Sequence, residues 1–401
     1  MPRLPKEVSV RMKKVWSGLK MQNSHKVPNL GKSTTCIPVG MNHTVHTVGR
    51  APSPAKQLSW RLPKVSAIVV NWNGMEFLPT CLDSLYRQSY KNLEVIVVDC
   101  ASKDESVSWM LQNYPKTKVI ALQEDPGPPA AINLATRQAE GDYILILNND
   151  VILPEHLVEK MAEELSKDEN CVINPVEIHW EGEYVGSGIS DSWFGRYLYY
   201  FIKANGDSPF YPSTACCLCT KGILLKNPLN EALFMYEDTE WGWRLQLKKI
   251  RLKVLKGSYF LHKGSGSQDT SYSPKTAYLV GRAELATTYI CFKLATCFLL
   301  SPIILLEITR RIFRYIRKKK LKSIYTYFKG KASFFAEFST YRKIRKIVQK
   351  DRQLNDKEIL KRMIGSIGFE KQAKEEWISR RNKGEILYAP KAKPIKEKVV
   401  C

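Results

Sequence analysis

The chain has 401 residues, 44% of them hydrophobic, which is enough to bury a core and excludes global disorder. Its formal net charge is +23, yet residues 65–284 carry 21 Lys or Arg against 28 Asp or Glu. The excess of positive charge therefore belongs to the flanking segments, whereas a nucleic-acid-binding protein would more often carry it on its working surface.

The N-terminal segment predicts a basic flexible extension over residues 1–62, in preference to a metal site built on its three histidines. It contains no apolar run of the length that a signal peptide needs, so we expect the following domain to stay in the cytosol. The ten cysteines are scattered and form no paired CxxC sets, which predicts reduced, buried thiols rather than disulfides or a zinc site.

Folded structure is predicted to begin at Val65. From there on, continuous apolar runs alternate with segments whose apolar residues have the spacing of a helix. Continuous runs rich in β-branched residues are typical of strands buried on both faces of a parallel sheet. The predicted strands cover 65–72, 93–100, 118–122 and 143–148, and the predicted helices between them cover 75–88, 104–113 and 130–139. This order predicts an α/β sheet with helices on both faces. Further along, we expect a helix over 155–166, a helix start within 231–249 and a strand over 253–262.

Residues 285–350 predict a membrane-associating helical region. Residues 285–306 carry one charge, Lys293, but the run is marginal for a span, which needs about 20 apolar residues. Residues 310–350 hold 15 Lys or Arg and one acid, with Ile, Phe and Tyr between them, as in a basic amphipathic helix at a membrane interface. A soluble helical subdomain with a solvated basic face is the alternative. Residues 351–401 predict a charged, helical and frayed tail.

Polar side chains follow the predicted strands at their carboxyl ends. Asn71, Asp99 and Asp150 come at or just beyond three of them, and the carboxyl ends of parallel strands meet at the edge where such sheets bind ligands. An acid there can hold Mg²⁺ or Mn²⁺ together with substrate phosphates. The alternative is a plain Asn/Asp turn at 148–150. His262 ends a later strand, and a lone histidine is more often structural.

The pair Glu237–Asp238 predicts a second chemical feature. Paired carboxylates in an aromatic setting are costly to ionise, so one of them would suit the role of a general base with a raised pKa. Trp241 would share a helical face with Asp238 and stack on a sugar. The alternative is a set of acids that stabilise a helix N-terminus, with Glu240 and Arg244 as an i,i+4 ion pair.

Together these motifs resemble the family 2 glycosyltransferases with the GT-A fold, over roughly residues 65–282. The segments that carry the resemblance, in the family's order, are VSAIVVNWNG, LPTCLDSLYRQSY, LEVIVVDCASKDES, EDPGPPAAINLATRQAEGDYILILNNDVILP and FMYEDTEWGWRL. The opening NWNG is similar to the rhamnosyltransferase-like subgroup. The resemblance implies a GT-A catalytic domain over 63–284, with a mixed sheet and helices on both faces, followed by the membrane-associating region.

The resemblance also implies roles for individual residues. The chain would be an inverting enzyme that moves a single sugar from a nucleotide-diphosphate sugar to a hydroxyl, since the QxxRW motif of processive synthases is absent. Asp238 is the implied base, with Glu237 beside it, and Asp150 and His262 are the implied ligands of a divalent metal, Mg²⁺ or Mn²⁺. Asn148 replaces the first acid of the family's DxD motif. The implied nucleotide-sugar contacts are Asn71, Asn73, Asp99, Gly127, Asn133 and Asn149. The implied acceptor contacts are Trp241 and Arg244.

The expected partners are a nucleotide-sugar donor, a glycan or lipid-linked acceptor and an anionic membrane surface, and not nucleic acid. We therefore expect the protein to act at the cytoplasmic face of the cell membrane, as a peripheral or monotopic protein. A single membrane span near 285–306 is the alternative. Two other functions stay open. A polyprenol-phosphate sugar synthase is disfavoured by the NWNG opening, and a non-enzymatic membrane scaffold would predict loss of Asp150 or Asp238.

Overall fold

The computed structural model describes residues 63–180, 182–186, 208–264 and 272–384, so the predictions for 1–62 and 385–401 lie outside the described residues. Within those ranges, nine strands form one sheet. They are β1 (Val65–Asn71), β2 (Leu93–Asp99), β3 (Lys118–Ala121), β4 (Tyr143–Asn148), β5 (Val151–Ile152), β6 (Cys171–His179), β7 (Tyr184–Gly186), β8 (Cys216–Thr220) and β9 (Arg251–His262).

The strand order is β3-β2-β1-β4-β8-β6-β9-β5, with β7 beside β6. The first four strands of this order run parallel, whereas β8 runs antiparallel to β4. In this register Asn71 lies opposite Asp99, and Val70 lies opposite Asn148. The predicted mixed sheet is therefore confirmed, and the polar residues after β1, β2 and β4 reach one edge.

Helices cover both faces of the sheet, as predicted. The described helices that precede or follow its strands are α1 (Leu78–Tyr86), α2 (Ser106–Asn113), α3 (Pro128–Gln138), α4 (Leu157–Ser166), α5 (Lys221–Lys226) and α6 (Glu237–Leu247). Val65, Ala67 and Val69 of β1 pack with α1 and α4, whereas Ile68 packs with α3, α5 and α6. Alternate side chains of a strand point to opposite faces, so one strand builds both cores.

Within the described residues, six more helices follow the sheet. They are α7 (Pro274–Cys291), α8 (Leu294–Leu299), α9 (Ser301–Arg317), α10 (Leu321–Ala336), α11 (Phe338–Asp351) and α12 (Asp356–Asn382). The predicted boundary at 284/285 falls inside α7. A third core joins Trp243 and Leu247 of α6 to Ile290 of α7, Phe334 of α10 and Met363 of α12. The C-terminal helices are thus packed against the helix that carries the predicted base.

The apolar run predicted over 285–306 is divided among α7, α8 and α9, with Pro302 in the first turn of α9. In the part of the chain that the structure describes, no helix has both the length and the apolar composition that a membrane crossing requires. The eight cysteines within the same ranges are free thiols, and all but Cys297 are buried, which confirms the prediction of reduced cysteines there.

Helices α7 and α10 cross in direct backbone contact, which makes a stability prediction. A methyl group on Gly330 would lie 2.0 Å from the carbonyl oxygen of Tyr278, and one on Gly281 would lie 2.3 Å from that of Tyr327. Backbone oxygens cannot rotate away, so we expect Gly330→Ala to lower the free energy of unfolding by about 1–3 kcal/mol in urea denaturation. The matched control is Gly222→Ala in α5, where the nearest atom would be 3.9 Å away. Because Ala is the better helix former, the control should be neutral or stabilising, and an equal loss in both variants would contradict the crossing.

Candidate active site

Side-chain hydrogen bonds join the carboxyl ends of β1, β2 and β4. Asn71 is fully buried; its Nδ2 donates to Asp99 Oδ2 at 2.8 Å, and its Oδ1 accepts from Asn149 Nδ2 at 2.7 Å. The Ser102 hydroxyl donates to the same Asp99 oxygen at 2.7 Å, and the Ser102 N–H donates to Asp99 Oδ1 at 2.9 Å. Asp99 is therefore held by three donors in a fixed orientation at the edge of the sheet.

The loop after β1 is bound to the loop after β2. Asn73 has a φ of 47°, its Oδ1 accepts from the Lys103 N–H at 2.7 Å, and its own N–H donates to the Ser102 hydroxyl at 2.8 Å. The next residue, Gly74, leaves no room for a side chain, because its Cβ would lie 2.0 Å from Asn149 Nδ2 and 2.2 Å from Asn71 Oδ1. The Asn73 side chain thus shapes the loop, and its contact with a nucleotide sugar stays a prediction.

His262 lies between two carboxylates at the centre of the site. Its Nε2 is 3.1 Å from Asp150 Oδ1, and its Nδ1 is 2.7 Å from Glu177 Oε1. Burial lowers the pKa of His262, but the hydrogen bonds to Asp150 and Glu177 outweigh it and raise the pKa to about 10. The ring ties the turn after β4 to the ends of β6 and β9.

Glu177 is a residue that the sequence analysis missed. It lies on β6, its Oε2 accepts from the Ser213 hydroxyl at 3.0 Å, and only 7% of the residue is exposed. The signal in the sequence is an acid inside the mainly apolar strand CVINPVEIH. A buried carboxylate needs partners, and here His262 provides the main one.

The donor set of this cluster fits a divalent cation. A histidine that binds a metal usually donates its other ring N–H to a carboxylate, and Glu177 is placed in this way on His262 Nδ1. The other nitrogen, Nε2, faces Asp150. Across the described ranges no group of three or more His, Cys, Asp or Glu side chains is arranged to hold a metal. Two protein ligands nevertheless suit Mg²⁺ or Mn²⁺, which take further oxygens from water and substrate phosphates.

Glu177 also connects this cluster to the predicted base. Asp238 lies in the first turn of α6, where its Oδ1 accepts from the Thr239 N–H at 2.6 Å. Burial raises the pKa of Asp238, the hydrogen bonds from Thr239 lower it, and the charge of Glu177 raises it further. Burial, followed by the charge of Asp238, also raises the pKa of Glu237. The net effect is that Asp238 has a raised proton affinity, to which the charge of Glu177 contributes.

The predicted acceptor contacts Trp241 and Arg244 are placed elsewhere. Trp241 has no exposed surface and donates from Nε1 to the carbonyl oxygen of Asn227 at 2.7 Å, so its ring cannot stack on a sugar. Arg244 is buried, and its Nε donates to both carboxylate oxygens of Glu240 at 2.8 and 2.9 Å. The prediction of acceptor contact is therefore wrong for both residues, and the alternative i,i+4 ion pair is confirmed.

Gly127 and Asn133 shape the segments around the site. Gly127 precedes α3 with a φ of 84°, and a Cβ there would lie 2.7 Å from the Phe234 ring. Asn133 Nδ2 donates to the Leu229 carbonyl at 2.9 Å and to Glu231 Oε1 at 3.0 Å, and its Oδ1 accepts from the Leu229 N–H at 3.0 Å. Both amide hydrogens of Asn133 are thus used to hold the chain that leads to α6, which leaves no free donor for a nucleotide sugar.

An aromatic rim beside Asn71 also went unassigned in the sequence analysis. Trp72 is 56% exposed, although its neighbour Asn71 is buried. The Lys275 ammonium lies 5.9 Å from the centroid of the Trp72 ring and 5.5 Å from that of Phe234. An exposed ring at the edge of a cleft can stack on a base or a sugar, and the cation favours anionic ligands.

Comparisons with known proteins find similar glycosyltransferases. The family model for glycosyl transferase family 2 matches residues 66–226. The glycosyltransferase GlyG of Streptococcus pneumoniae is 28% identical over 224 residues, which are 50% of this chain and 70% of that protein. An uncharacterized glycosyltransferase of Haemophilus influenzae is 33% identical over 102 residues, which are 25% of this chain and 41% of that protein.

Among solved structures, a crystal structure of GalNAc-T7 with UDP, GalNAc and Mn²⁺ overlaps 58% of this chain and 48% of its own, with a TM-score of 0.45 and 14% identity. Similarity at this level says nothing about the substrate of this chain. The matched segment 66–226 runs from β1, which ends at Asn71, through Asp150 and Glu177 to α5. Residues 66–226 of the chain therefore resemble the glycosyl transferase family 2 domain.

Proposed function

We propose that this glycosyltransferase moves a single sugar from a nucleotide-diphosphate sugar to a hydroxyl group, with inversion at the anomeric carbon. The observation that supports it is the connected set of acids at one sheet edge. Asp99 reaches Asn149 through Asn71, and the next residue, Asp150, reaches Glu177 through His262. The charge of Glu177 also raises the pKa of Asp238, which supports placing the three acids in one site.

Asp238 is the general base in this proposal. It takes the proton from the acceptor hydroxyl as the acceptor oxygen forms a bond to the anomeric carbon. The bond from that carbon to the diphosphate oxygen breaks, and the nucleoside diphosphate leaves with the electron pair. One displacement from the face opposite the leaving group inverts the configuration. The raised proton affinity that burial gives Asp238 suits this role, because a base works best when its pKa approaches the working pH.

The other residues hold and orient the donor. Asp99, fixed by Asn71 and Ser102, accepts hydrogen bonds from the nucleoside. Asp150 and His262 would hold Mg²⁺ or Mn²⁺, which would neutralise negative charge on the leaving diphosphate. Glu177 keeps the His262 ring in the orientation that this binding requires.

A panel of UDP-, GDP- and dTDP-sugars tests the proposal. A donor at 100 times its Kd should stabilise the fold by about 2.7 kcal/mol, visible as a rise in Tm, with slow hydrolysis in the presence of Mn²⁺. Nucleoside monophosphates are the control, because they lack the diphosphate. A panel in which no donor raises the Tm or is hydrolysed would contradict the proposed transfer.

We propose further that the acceptor is a lipid-linked or cell-surface glycan, and that the enzyme works at the cytoplasmic face of the cell membrane. The outer surface of α8–α10 supports this contact, because it exposes large apolar side chains beside a basic run. The exposed apolar residues are Leu294, Phe298, Leu299, Leu305, Leu306, Phe313, Ile316, Leu321, Tyr325, Phe328 and Phe335. The exposed basic residues are Arg317, Lys318, Lys319, Lys322 and Lys329. Such a surface suits an anionic bilayer.

Vesicle binding provides the measurement. Phe298 and Leu299 are 79% and 75% exposed, so replacing both by Ser should not disturb the core. The double variant should bind vesicles of phosphatidylcholine and phosphatidylserine about tenfold or more weakly, because each side chain is worth about 1.5–3 kcal/mol when buried in lipid. Leu111→Ser, 59% exposed on α2, is the matched control and should bind like the wild type. The proposal is overturned if the wild-type protein does not sediment with these vesicles, or if the control loses as much binding.

A further inference from the structure

Arg311 lies on the inner side of α9 and connects the C-terminal helices to the start of α6. Its side chain is 16% exposed, and its Nη2 donates to Glu284 Oε1 of α7 at 2.7 Å. The charge of Arg311 and a hydrogen bond from its side chain both act on the hydroxyl of Tyr236, whose ring packs against the cluster that contains Tyr315 and Tyr327. Tyr236 immediately precedes Glu237 and Asp238. A single cation from the C-terminal region therefore reaches the segment that carries the proposed base.

Glu284 is the centre of this buried network. Besides Arg311, it accepts hydrogen bonds from the Tyr327 hydroxyl at 2.6 Å and from the Lys331 ammonium at 3.0 Å. Burial raises the pKa of Glu284, but the charges of Arg311 and Lys331 outweigh it and hold the pKa below its usual value. Lys331 is thus a second cation on the same carboxylate, and it contacts Glu284 and lies over the Tyr327 ring.

The backbone at Tyr236 is strained. Its φ is 66°, in the left-handed region that bulky side chains avoid at a cost of about 1–3 kcal/mol, so the surrounding contacts must hold it there. Its carbonyl oxygen accepts from the Glu240 N–H at 3.0 Å, which makes it the first residue of the α6 hydrogen-bond ladder. Burial raises the pKa of Tyr236 to about 12, so its hydroxyl stays protonated and can accept from Arg311 while it keeps its own hydrogen.

We propose that Arg311 is a positioning residue for sugar transfer: through Tyr236 it fixes the direction in which α6 presents Asp238. The inference rests on the assignment of Asp238 as the base under the proposed function. It makes the C-terminal helices part of the catalytic unit, in addition to their proposed contact with lipid. A buried ion pair is a weak source of stability but a good means of holding one arrangement, which fits this role.

Three single variants separate positioning from stability. Tyr236→Phe removes only the hydroxyl, Arg311→Lys keeps the charge but not the two-pronged geometry, and Lys331→Met breaks the same network at Glu284 without involving Tyr236. With whichever UDP-, GDP- or dTDP-sugar the enzyme hydrolyses, we expect kcat to fall about tenfold to a hundredfold in the first two variants, as for a base misplaced by about 1 Å. The KM for that donor should stay within about twofold, since donor contacts are unchanged. Lys331→Met should lower the Tm but leave kcat within about twofold, because its effect is on Glu284 rather than on the start of α6.

Hydrogen exchange gives a readout that does not depend on activity. Amides 237–240 in the full chain should exchange faster in Tyr236→Phe and Arg311→Lys than in the wild type, and at the wild-type rate in Lys331→Met. The double variant Tyr236→Phe/Arg311→Lys should be no worse than either single variant, because both remove the same link. Equal losses of kcat in all three single variants, or unchanged exchange at 237–240 in Tyr236→Phe, would overturn the positioning role. If no donor is turned over, the proposed function fails while the exchange experiment still decides whether Arg311 orders this segment.

Discussion

Asp238→Asn should reduce the rate of sugar transfer by about 10²–10⁴-fold, the usual effect of removing a general base. The amide keeps the size of the side chain and its acceptor oxygen for the Thr239 N–H, so the start of α6 should stay intact. Donor affinity should be unchanged, because the predicted nucleoside contacts are made by other residues, Asn71 and Asp99. The two quantities to measure are kcat and the rise in Tm that the donor causes. If Asp238→Asn keeps full activity, Asp238 is not the general base.

The pH dependence of kcat follows from the same residue. The base works in its ionised form, so the rate falls as the pH drops through the pKa of Asp238. Burial, against the hydrogen bonds from Thr239, raises that pKa above its ordinary value, and the acid limb should therefore lie at a higher pH than for an exposed aspartate. Removing the charge of Glu177 by Glu177→Gln should shift the limb to lower pH, since that charge raises the pKa.

Stability provides the control for Asp238→Asn. With a pKa raised in the native state, the native protein keeps a proton that the unfolded chain has already released, so the free energy of unfolding falls as the pH rises through this interval. The Asn variant avoids this cost and should be at least as stable as the wild type at neutral pH. A loss of activity together with a lower Tm would instead indicate a damaged fold.

The sheet and its functional edge could be predicted because their signals are local. Buried parallel strands read as continuous β-branched runs, and the residues after such strands necessarily share an edge. The contact between Asn71 and Asp99 follows from the register of β1 and β2. Asn149 joins them because β4 lies on the other side of β1.

The burial of Trp241 could not be read from helical periodicity. The helix α6 packs on the sheet core through Trp241 and Leu245, and on the C-terminal helices through Trp243 and Leu247. A helix covered on both sides has no polar face to distinguish a solvent-facing ring from a core ring. The partner helices lie far along the chain, so only the tertiary structure shows that the second side is covered.

The contact between Glu177 and His262 escaped prediction for a similar reason. Each residue alone resembles an isolated polar group in a strand, and they lie 85 positions apart. They meet because β6 and β9 pair in parallel and both end at the site, with His179 opposite His262. The pairing of strands that are distant in sequence therefore decides which acid orients the histidine.

Asp150→Asn should remove the Mn²⁺ dependence of the enzyme together with most of its activity, since the variant loses the carboxylate proposed to bind the metal. Glu177→Gln should instead weaken Mn²⁺ binding about 10–100-fold, as expected for a residue that orients a ligand, and saturating metal should restore much of the activity. Mn²⁺ titrations of donor hydrolysis, and of the electron paramagnetic resonance signal of free Mn²⁺ without donor, measure both effects. The control is Glu140→Gln, an acid that pairs with Lys64 outside this cluster.

The two variants differ because of the positions of the two carboxylates on the same ring. Asp150 faces His262 Nε2, the nitrogen that would bind the cation, whereas Glu177 holds Nδ1 from the opposite side. Asp150→Asn should therefore remove one ligand of the metal. Glu177→Gln should leave both ligands, Asp150 and His262, in place, but the His262 ring would be free to rotate. Two results would contradict this metal site: a wild-type enzyme that is equally active in EDTA, or an Asp150→Asn variant that keeps the wild-type response to Mn²⁺. In either case the contact between His262 and Asp150 would be a structural bridge between β9 and the turn after β4.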